Sequence, residues 1–172
     1  MLFAAIAIKL DSPGPIIFRQ HRRGANGREF AILKFRTMTV QDNGAEIQQA
    51  SRGDPRVTRV GKLLRSTSID ELPQLINVLR GDMALVGPRP HALAHDNHFG
   101  KLLEAYAIRH HVKPGITGWA QVHGFRGGTP SVDHIAERIR MDLWYIDNWS
   151  LWLDIQILGR TVIEVLRRRN AY

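Results

Sequence analysis

The sequence predicts an α+β fold: a mostly helical single domain over residues 1–172 with one small β-hairpin. Three observations predict it. An Asn26-Gly27 pair lies between two β-prone runs, which is a strong local hairpin signal. Helix-like segments outnumber strand-like ones in the remainder, and no strand–helix alternation supports a wound parallel sheet. The chain carries no internal repeat, low-complexity run or linker, and 172 residues with 44% apolar and 23% charged content are enough for one packed core.

The elements follow in order. Residues 1–10 are apolar, either the tail of an apolar helix or the start of the domain. They fall short of the roughly 20 residues that cross a bilayer, and no basic leader or cleavage site marks a secretory signal. No other segment spans a membrane either. Residues 16–22 and 29–37 read as strands joined by the glycine-rich stretch Gly24-Ala25-Asn26-Gly27. Residues 40–54 are polar and read as a loop or short helix. A short basic helix is expected over 57–64, then Ser66-Thr67-Ser68 and a helix from about Asp70 to Leu79. The Gly/Pro punctuation of residues 81–90 predicts a rigid loop. A helix near 92–111, the turn Lys113-Pro114-Gly115, a Gly/Pro/Ser-rich loop over 124–131 and a helix near 132–146 come next. The last helix runs over 150–169, with apolar positions at Leu151, Leu153, Ile155, Leu158, Val162, Val165 and Leu166. It ends in Arg167-Arg168-Arg169, and Trp144, Tyr145, Trp149 and Trp152 cluster at its start. Aromatic residues beside basic ones fit a membrane–water interface, hence a membrane-surface domain; a helix packed on the core with half-buried tryptophans fits the same pattern.

Composition narrows the chemistry. The absence of cysteine excludes a disulfide scaffold, a thiolate zinc site and a cysteine nucleophile. Lys plus Arg number 24 against 16 acids, a net charge of +8, which calls for an anionic partner: nucleic acid, anionic lipid or a phosphorylated substrate. Eight histidines invite a metal reading, with His91, His95 and His98 foremost. No HExxH pattern or third ligand accompanies them, so they read as solvated helix histidines.

Ser68-Ile69-Asp70-Glu71-Leu72-Pro73 is the segment richest in chemistry. Ser68 with Glu71 three residues later makes a capping box. Pro73 would then be the fifth helical residue, one too deep for a proline. An N-cap at Ile69 or Asp70 removes the conflict and places Asp70 at a helix N-terminus. The dipole and free amides there favour an ionised carboxylate and can hold a phosphate. Such a carboxylate can attack phosphorus, and Glu71 can bind Mg²⁺ or handle a proton; plain capping explains the same residues. On a strand, Lys34 and Arg36 share a face suited to a diphosphate, or simply a solvated hairpin face. Two prolines stiffen the backbone around Arg89, whose planar fork suits phosphate oxygens; a structural turn is the alternative. Residues 57–79 can also be drawn as a basic helix-turn-helix, but that leaves Pro73 after two acids unexplained, so nucleic acid is not the expected partner.

Six segments in order resemble the bacterial sugar transferase family, the monotopic polyprenyl-phosphate phosphoglycosyl transferases. They are Leu10-Asp11-Ser12-Pro13-Gly14-Pro15, Lys34-Phe35-Arg36-Thr37-Met38, Ser68-Ile69-Asp70-Glu71-Leu72-Pro73-Gln74-Leu75, the stretch from Gly81 to Pro90, Val112-Lys113-Pro114-Gly115-Ile116-Thr117-Gly118, and Asn148-Trp149-Ser150-Leu151. The closing part, from Trp119-Ala120-Gln121-Val122 onward, looks most like the family's undecaprenyl-phosphate glucose phosphotransferases. The resemblance implies that Asp70 attacks the sugar-bearing phosphorus of a UDP-sugar, that UMP leaves, and that undecaprenyl phosphate takes up the phosphosugar. It implies Glu71 as dyad partner, and Lys34, Arg36 and Arg89 as phosphate contacts. Glu71 and Asp142 are implied as Mg²⁺ ligands. Glucose is the implied sugar, with galactose its closest competitor, in exopolysaccharide or related glycan synthesis. The implied setting is the cytoplasmic face of a bacterial inner membrane, with a homodimer as one option. Family members carry an apolar re-entrant helix before the Asp-Ser-Pro-Gly-Pro segment. Residues 1–10 would be its tail, so the chain is expected to be a fragment or a shortened member. Gly128 stands where the glucose-specific relatives tend to have an acid.

Overall fold

The computed structural model describes residues 1–39, 53–125 and 131–167. The expected loop over 40–54 falls almost wholly outside them, as do Gly128 and the arginines at 168 and 169. Within them the α+β expectation holds. Strands β1 (Ile17–Arg23) and β2 (Glu29–Phe35) pair antiparallel from Ile17↔Phe35 to Arg23↔Glu29. Asn26 (φ 55°) and Gly27 (φ 73°) take left-handed conformations, the geometry for which Asn-Gly is suited. The link is one 3₁₀ turn at Ala25–Gly27, closed by Gly24 N–H donating to the Arg28 carbonyl at 2.7 Å.

Helices α1 (Leu2–Asp11) and α2 (Arg59–Thr67) pack on the hairpin through a cluster of Ile8, Phe35 and Leu64. The start of α2 is capped twice: Thr58 Oγ1 accepts from Gly61 N–H at 2.9 Å and Asp11 Oδ2 from Val60 N–H at 3.0 Å. Gly61 is required for this packing, since a Cβ there would lie 2.1 Å from the Thr37 carbonyl oxygen. Arg36 donates to the carbonyls of Ser12, Pro13 and Pro15 at 2.7, 2.6 and 2.7 Å. Those three bonds fix the Asp-Ser-Pro-Gly-Pro segment, whose carbonyls have no ladder to join.

The region read as a rigid loop over 81–90 contains a strand. β3 (Ala84–Val86) pairs with β4 (Gly115–Thr117) in parallel. Three-residue strands cannot be seen in hydrophobic periodicity, and parallel partners lie far apart in sequence. The expected helix over 92–111 is also two pieces, α4 (Leu93–Leu102) and a 3₁₀ stretch at Glu104–His111. After the short α5 (Trp119–Val122), helix α6 (Val132–Asp147) is capped by Ser131 and α7 (Leu151–Arg167) by Ser150.

The apolar interior is divided. Val86, Tyr145, Leu153 and Ile157 form one cluster, and Phe99, Tyr106, Ile135 and Ile139 another. Polar side chains are buried as well, with Arg36, Asn77, Asp96, Arg109, Arg138 and Asp142 all under one-tenth exposed. Among the described residues, no helix is long and apolar enough to cross a membrane.

Helix α3 (Gln74–Leu79) is attached to the free edge of β2 by Asn77. Its Oδ1 accepts from Leu33 N–H at 3.0 Å and its Nδ2 donates to the Ala31 carbonyl at 2.9 Å. Asn77→Ala leaves two buried backbone groups without those partners, at about 1–3 kcal/mol each. Urea unfolding should therefore report a loss of about 3 kcal/mol at unchanged m-value. A loss below about 1 kcal/mol would show that the edge is held by other contacts.

Candidate active site

The segment that carries the chemistry is a turn between two helices. α2 ends at Ser68, which adopts a left-handed conformation (φ 59°), and a 3₁₀ turn follows at Ile69–Glu71. Pro73 occupies the N-cap position of α3, where its missing N–H removes no helical bond. The expected helix start at Asp70 is thus corrected: the proline moves it to Gln74, and Asp70 lies ahead of it in the turn. The helix-turn-helix drawing also loses its basis, because α3 has six residues and exposes Leu75, Ile76 and Leu79 in place of a polar reading face.

This turn sits under the hairpin and beside the Gly87-Pro88-Arg89-Pro90 loop. Lys34 Nζ, on β2, donates to Glu71 Oε1 at 2.8 Å. Arg89 closes on the same carboxylate with both arms, Nη2 to Oε1 at 2.6 Å and Nη1 to Oε2 at 3.3 Å. Glu71 is therefore a carboxylate between two cations supplied by distant elements. Burial opposes its charge, yet Arg89 and Lys34 hold its carboxyl well below the usual range. Burial likewise pushes the Lys34 ammonium down, and Glu71 opposes that shift.

Asp70 is treated differently by the same surroundings. Burial first, and then the adjacent Glu71 charge, push its carboxyl up to about 6, while Lys34, Arg65 and Arg89 pull it back. The expectation that a helix dipole would deepen its ionisation is corrected, since no helix begins there. At neutral pH Asp70 is still largely ionised. Among the described residues its carboxylate accepts no hydrogen bond, so its oxygens are not committed to a donor. Two neighbouring carboxylates are thereby set apart, one locked into an ion pair and one poised.

The loop holding Arg89 is stitched to β4. Gly87 N–H donates to the Thr117 carbonyl at 2.9 Å and Gly115 N–H to the Pro88 carbonyl at 3.0 Å. A Cβ on Gly115 would lie 2.1 Å from the Gly87 nitrogen, so only glycine permits this approach. On the hairpin side, Arg22 Nη1 donates to the Pro90 carbonyl at 3.3 Å. A groove lined by Leu72, Leu75, Ile116, Val122 and Val165 opens beside Glu71.

The other expected residues are placed elsewhere. Arg36 is buried and its guanidinium is spent on three carbonyls, so it does not join Lys34 on a phosphate-facing surface. Asp142 is buried against Arg109, with Nε donating to Oδ2 at 2.8 Å. Glu71 and Asp142 are thus each engaged by a different arginine. Among the described residues no group of three or more His, Asp and Glu side chains could hold a metal ion. Glu71 Oε2, with only its longer Arg89 contact, is the oxygen best able to share a cation with substrate oxygens. Asp142 does not fit that role.

His91 is corrected from a solvated helix residue to a buried one. Its Nδ1 lies 2.6 Å from the Tyr106 hydroxyl, which donates onward to Asp96 Oδ1 at 2.6 Å. Burial, together with Arg109 and Arg138, holds its imidazole well below its usual range and so neutral. Sequence reasoning missed Arg22, Asn77, Tyr106 and Arg109. Their partners lie tens of residues away, and the only local hint was Arg22 on the same strand face as Gln20.

The sequence profile of the bacterial sugar transferase family matches residues 1–168. A UDP-glucose:undecaprenyl-phosphate glucose-1-phosphate transferase of Caulobacter vibrioides is 57% identical over the whole chain, which covers 64% of that protein. A protein of the same name from Xanthomonas campestris pv. campestris is 56% identical over the whole chain, covering 36% of its length. A UDP-N-acetylgalactosamine-undecaprenyl-phosphate N-acetylgalactosaminephosphotransferase of Aeromonas hydrophila is 47% identical over 96% of the chain, covering 39% of its length. The chain thus spans less than two thirds of each of these relatives.

The carboxylate pair makes a direct prediction. In a ¹³C-carboxyl NMR titration Asp70 should show a midpoint near pH 6, and Glu71 should stay ionised through its usual range near 4.5. Native Asp70 keeps its proton up to about 6, whereas the unfolded chain releases it near 3.8. The stability it contributes is complete below about pH 3.8 and is lost as pH rises through about 6. A midpoint near 4 for Asp70 would contradict this account of the site.

Proposed function

The chain belongs to the bacterial sugar transferase family, and on that premise we propose that it transfers a sugar-1-phosphate from a UDP-sugar to undecaprenyl phosphate. The observation that carries the reading is the division of labour between Asp70 and Glu71, read together with the names of the relatives. Asp70, ionised above about pH 6 and without a hydrogen-bond donor of its own, is the nucleophile. One of its oxygens attacks the sugar-bearing phosphorus, and the bond from that phosphorus to the bridging oxygen breaks. UMP leaves with that electron pair, and a phosphosugar–Asp70 adduct remains. A phosphate oxygen of undecaprenyl phosphate then attacks the same phosphorus, and the bond to Asp70 breaks. The products are undecaprenyl-diphospho-sugar and a regenerated carboxylate.

Lys34 and Arg89, already gathered around Glu71, give the diphosphate a pair of cations beside the nucleophile. Glu71 keeps those cations in place between turnovers. Mg²⁺ belongs to the proposal: Glu71 Oε2 and the diphosphate oxygens would hold it, in the one-or-two-carboxylate manner usual for this ion. When bound it would draw charge off the diphosphate. Arg36 contributes by holding residues 12–15 in place.

Glucose is the preferred sugar, as in the names of the Caulobacter and Xanthomonas relatives, and the Aeromonas relative makes N-acetylgalactosamine the strongest competitor. A lipid acceptor requires a membrane surface. Phe3 on α1, Leu79 on α3 and Leu166 on α7 are 88, 88 and 77% exposed, and Trp149 and Trp152 are exposed at the start of α7. Apolar surface on this scale supports membrane contact. The proposed location is the cytoplasmic face of a bacterial inner membrane.

UMP release from a panel of UDP-sugars, with Mg²⁺ and undecaprenyl phosphate in detergent, tests the reading. UDP-glucose should be preferred, and kcat/KM should rise about tenfold per pH unit up to about pH 6 as Asp70 loses its proton. Asp70→Asn should abolish turnover without lowering the melting temperature, since it removes a buried charge beside Glu71. Arg89→Ala should lower kcat/KM by about 100-fold, the scale of losing one preorganised donor to developing charge. Full activity in Asp70→Asn, or unfolding of Arg89→Ala with unchanged kinetics in its folded fraction, would remove these roles.

A further inference from the structure

We propose that Asp142 and Arg109 form a positioning pair that aims the Arg89 guanidinium at Glu71, so that Asp142 serves the reaction through two arginines and not as a metal ligand. This inference rests on the sugar-phosphate transfer reading, and it concerns the support behind that site.

The Arg109 guanidinium is buried and is bonded at Nε and Nη2. Nε donates to Asp142 Oδ2 at 2.8 Å, Nη2 donates to the Arg89 carbonyl at 2.8 Å, and Nη1 meets His91 Nδ1 at 3.3 Å. Its face lies 5.0 Å from the centre of the Tyr106 ring. One side chain thus holds residue 89 by its backbone and lies against the ring of residue 91. Between them Pro90 has a fixed φ, and its carbonyl is held from the opposite side by Arg22. The carbonyls of residues 89 and 90 are thus held from two sides, and the Arg89 fork lands on Glu71 with both arms.

Asp142 supplies what this arrangement needs. Its side chain and that of Arg109 are both 3% exposed, so neither charge can turn to water. A guanidinium that deep is tolerated only beside a counter-charge. The paired oxygen also orients the planar group, because a bond at Nε sets the direction in which Nη2 points. Arg109 touches neither Asp70 nor Glu71, and its influence on the dyad passes through residue 89. Asp142 is 3% exposed with Oδ2 committed to Arg109, and among the described residues no group of three or more His, Asp and Glu side chains gathers around it to hold a metal ion.

The test compares wild type, Asp142→Asn, Arg109→Lys, Arg89→Ala and Asp142→Asn/Arg89→Ala in the UMP-release assay at varied Mg²⁺, with circular dichroism to check folding. Asp142→Asn should lower kcat/KM by about 100-fold, the scale of a small misplacement of a working group. The half-saturating Mg²⁺ concentration should stay at the wild-type value. In the Arg89→Ala background the same substitution should cost nothing further, because its route of action is gone. Arg109→Lys keeps the charge and loses the fork, so it should match Asp142→Asn; it also carries the comparison if Asp142→Asn fails to fold. A raised Mg²⁺ requirement, or a fully additive loss with Arg89→Ala, would overturn the proposal. In parallel, ¹⁵N-arginine side-chain NMR on the protein without substrate should show slowed rotation of the Arg89 guanidinium, lost in Asp142→Asn. An unchanged Arg89 signal would overturn the proposal as well. If wild type releases UMP from no donor, the transfer reading fails, and the NMR comparison still decides the positioning.

Discussion

The Glu71 carboxylate, held between the Lys34 ammonium and the Arg89 fork, is the interaction on which the rest of the site depends. The three groups come from a hairpin strand, a turn between helices and a proline-bound loop, and only the folded chain brings them together. Removing their charges from water is costly, and the cost is offset by short, largely charge-assisted bonds to two partners at once. That pairing has a second effect. It commits one carboxylate of an adjacent pair to the ionised form and leaves the other, Asp70, to titrate near 6. The nucleophile role proposed for Asp70 requires an ionised carboxylate, which a midpoint near 6 provides at neutral pH.

The rest of the molecule reads as support for that geometry. Its apolar clusters are small and separate, and a set of buried polar side chains ties its segments together. Arg36 ties residues 12–15 to the end of β2, Asn77 ties α3 to the edge of β2, and Arg22 and Arg109 hold the Arg89 loop from two sides. Such struts are individually modest, but each becomes expensive once one partner is lost. The arrangement specifies position more sharply than a larger oily core would. Meanwhile apolar side chains on α1, α3 and α7 remain at the surface.

Much of this was legible where the signal is local. Asn26-Gly27 announced the hairpin, the basic run after residue 57 announced α2, and the periodicity of residues 132–146 announced α6. Pro73 correctly argued against Ser68 as N-cap, although the helix starts four residues further along than expected. Lys34, Asp70, Glu71 and Arg89 were singled out from sequence, and the fold brings Lys34, Glu71 and Arg89 into direct contact with Asp70 alongside. What was not legible is long-range. β3 and β4 are three residues each and separated by nearly thirty, so no periodicity marks them. Arg36 looked like a phosphate contact because strand alternation placed it beside Lys34. The unpaired carbonyls of residues 12–15, which claim it, cannot be seen in a linear reading. His91 looked solvated because its partners Tyr106, Arg109 and Arg138 arrive from two other segments.

The central claim is that Asp70 carries the phosphosugar between the two half-reactions, and intact-protein mass spectrometry tests it most directly. The protein is incubated with UDP-glucose and Mg²⁺ without undecaprenyl phosphate, quenched, and mapped by peptide fragmentation. The account predicts a mass increase of one hexose phosphate on the peptide containing Asp70, discharged on adding undecaprenyl phosphate and absent in Asp70→Asn. UMP release that requires undecaprenyl phosphate from the first turnover, with no adduct on any residue, would mean direct transfer between the two substrates and would contradict it.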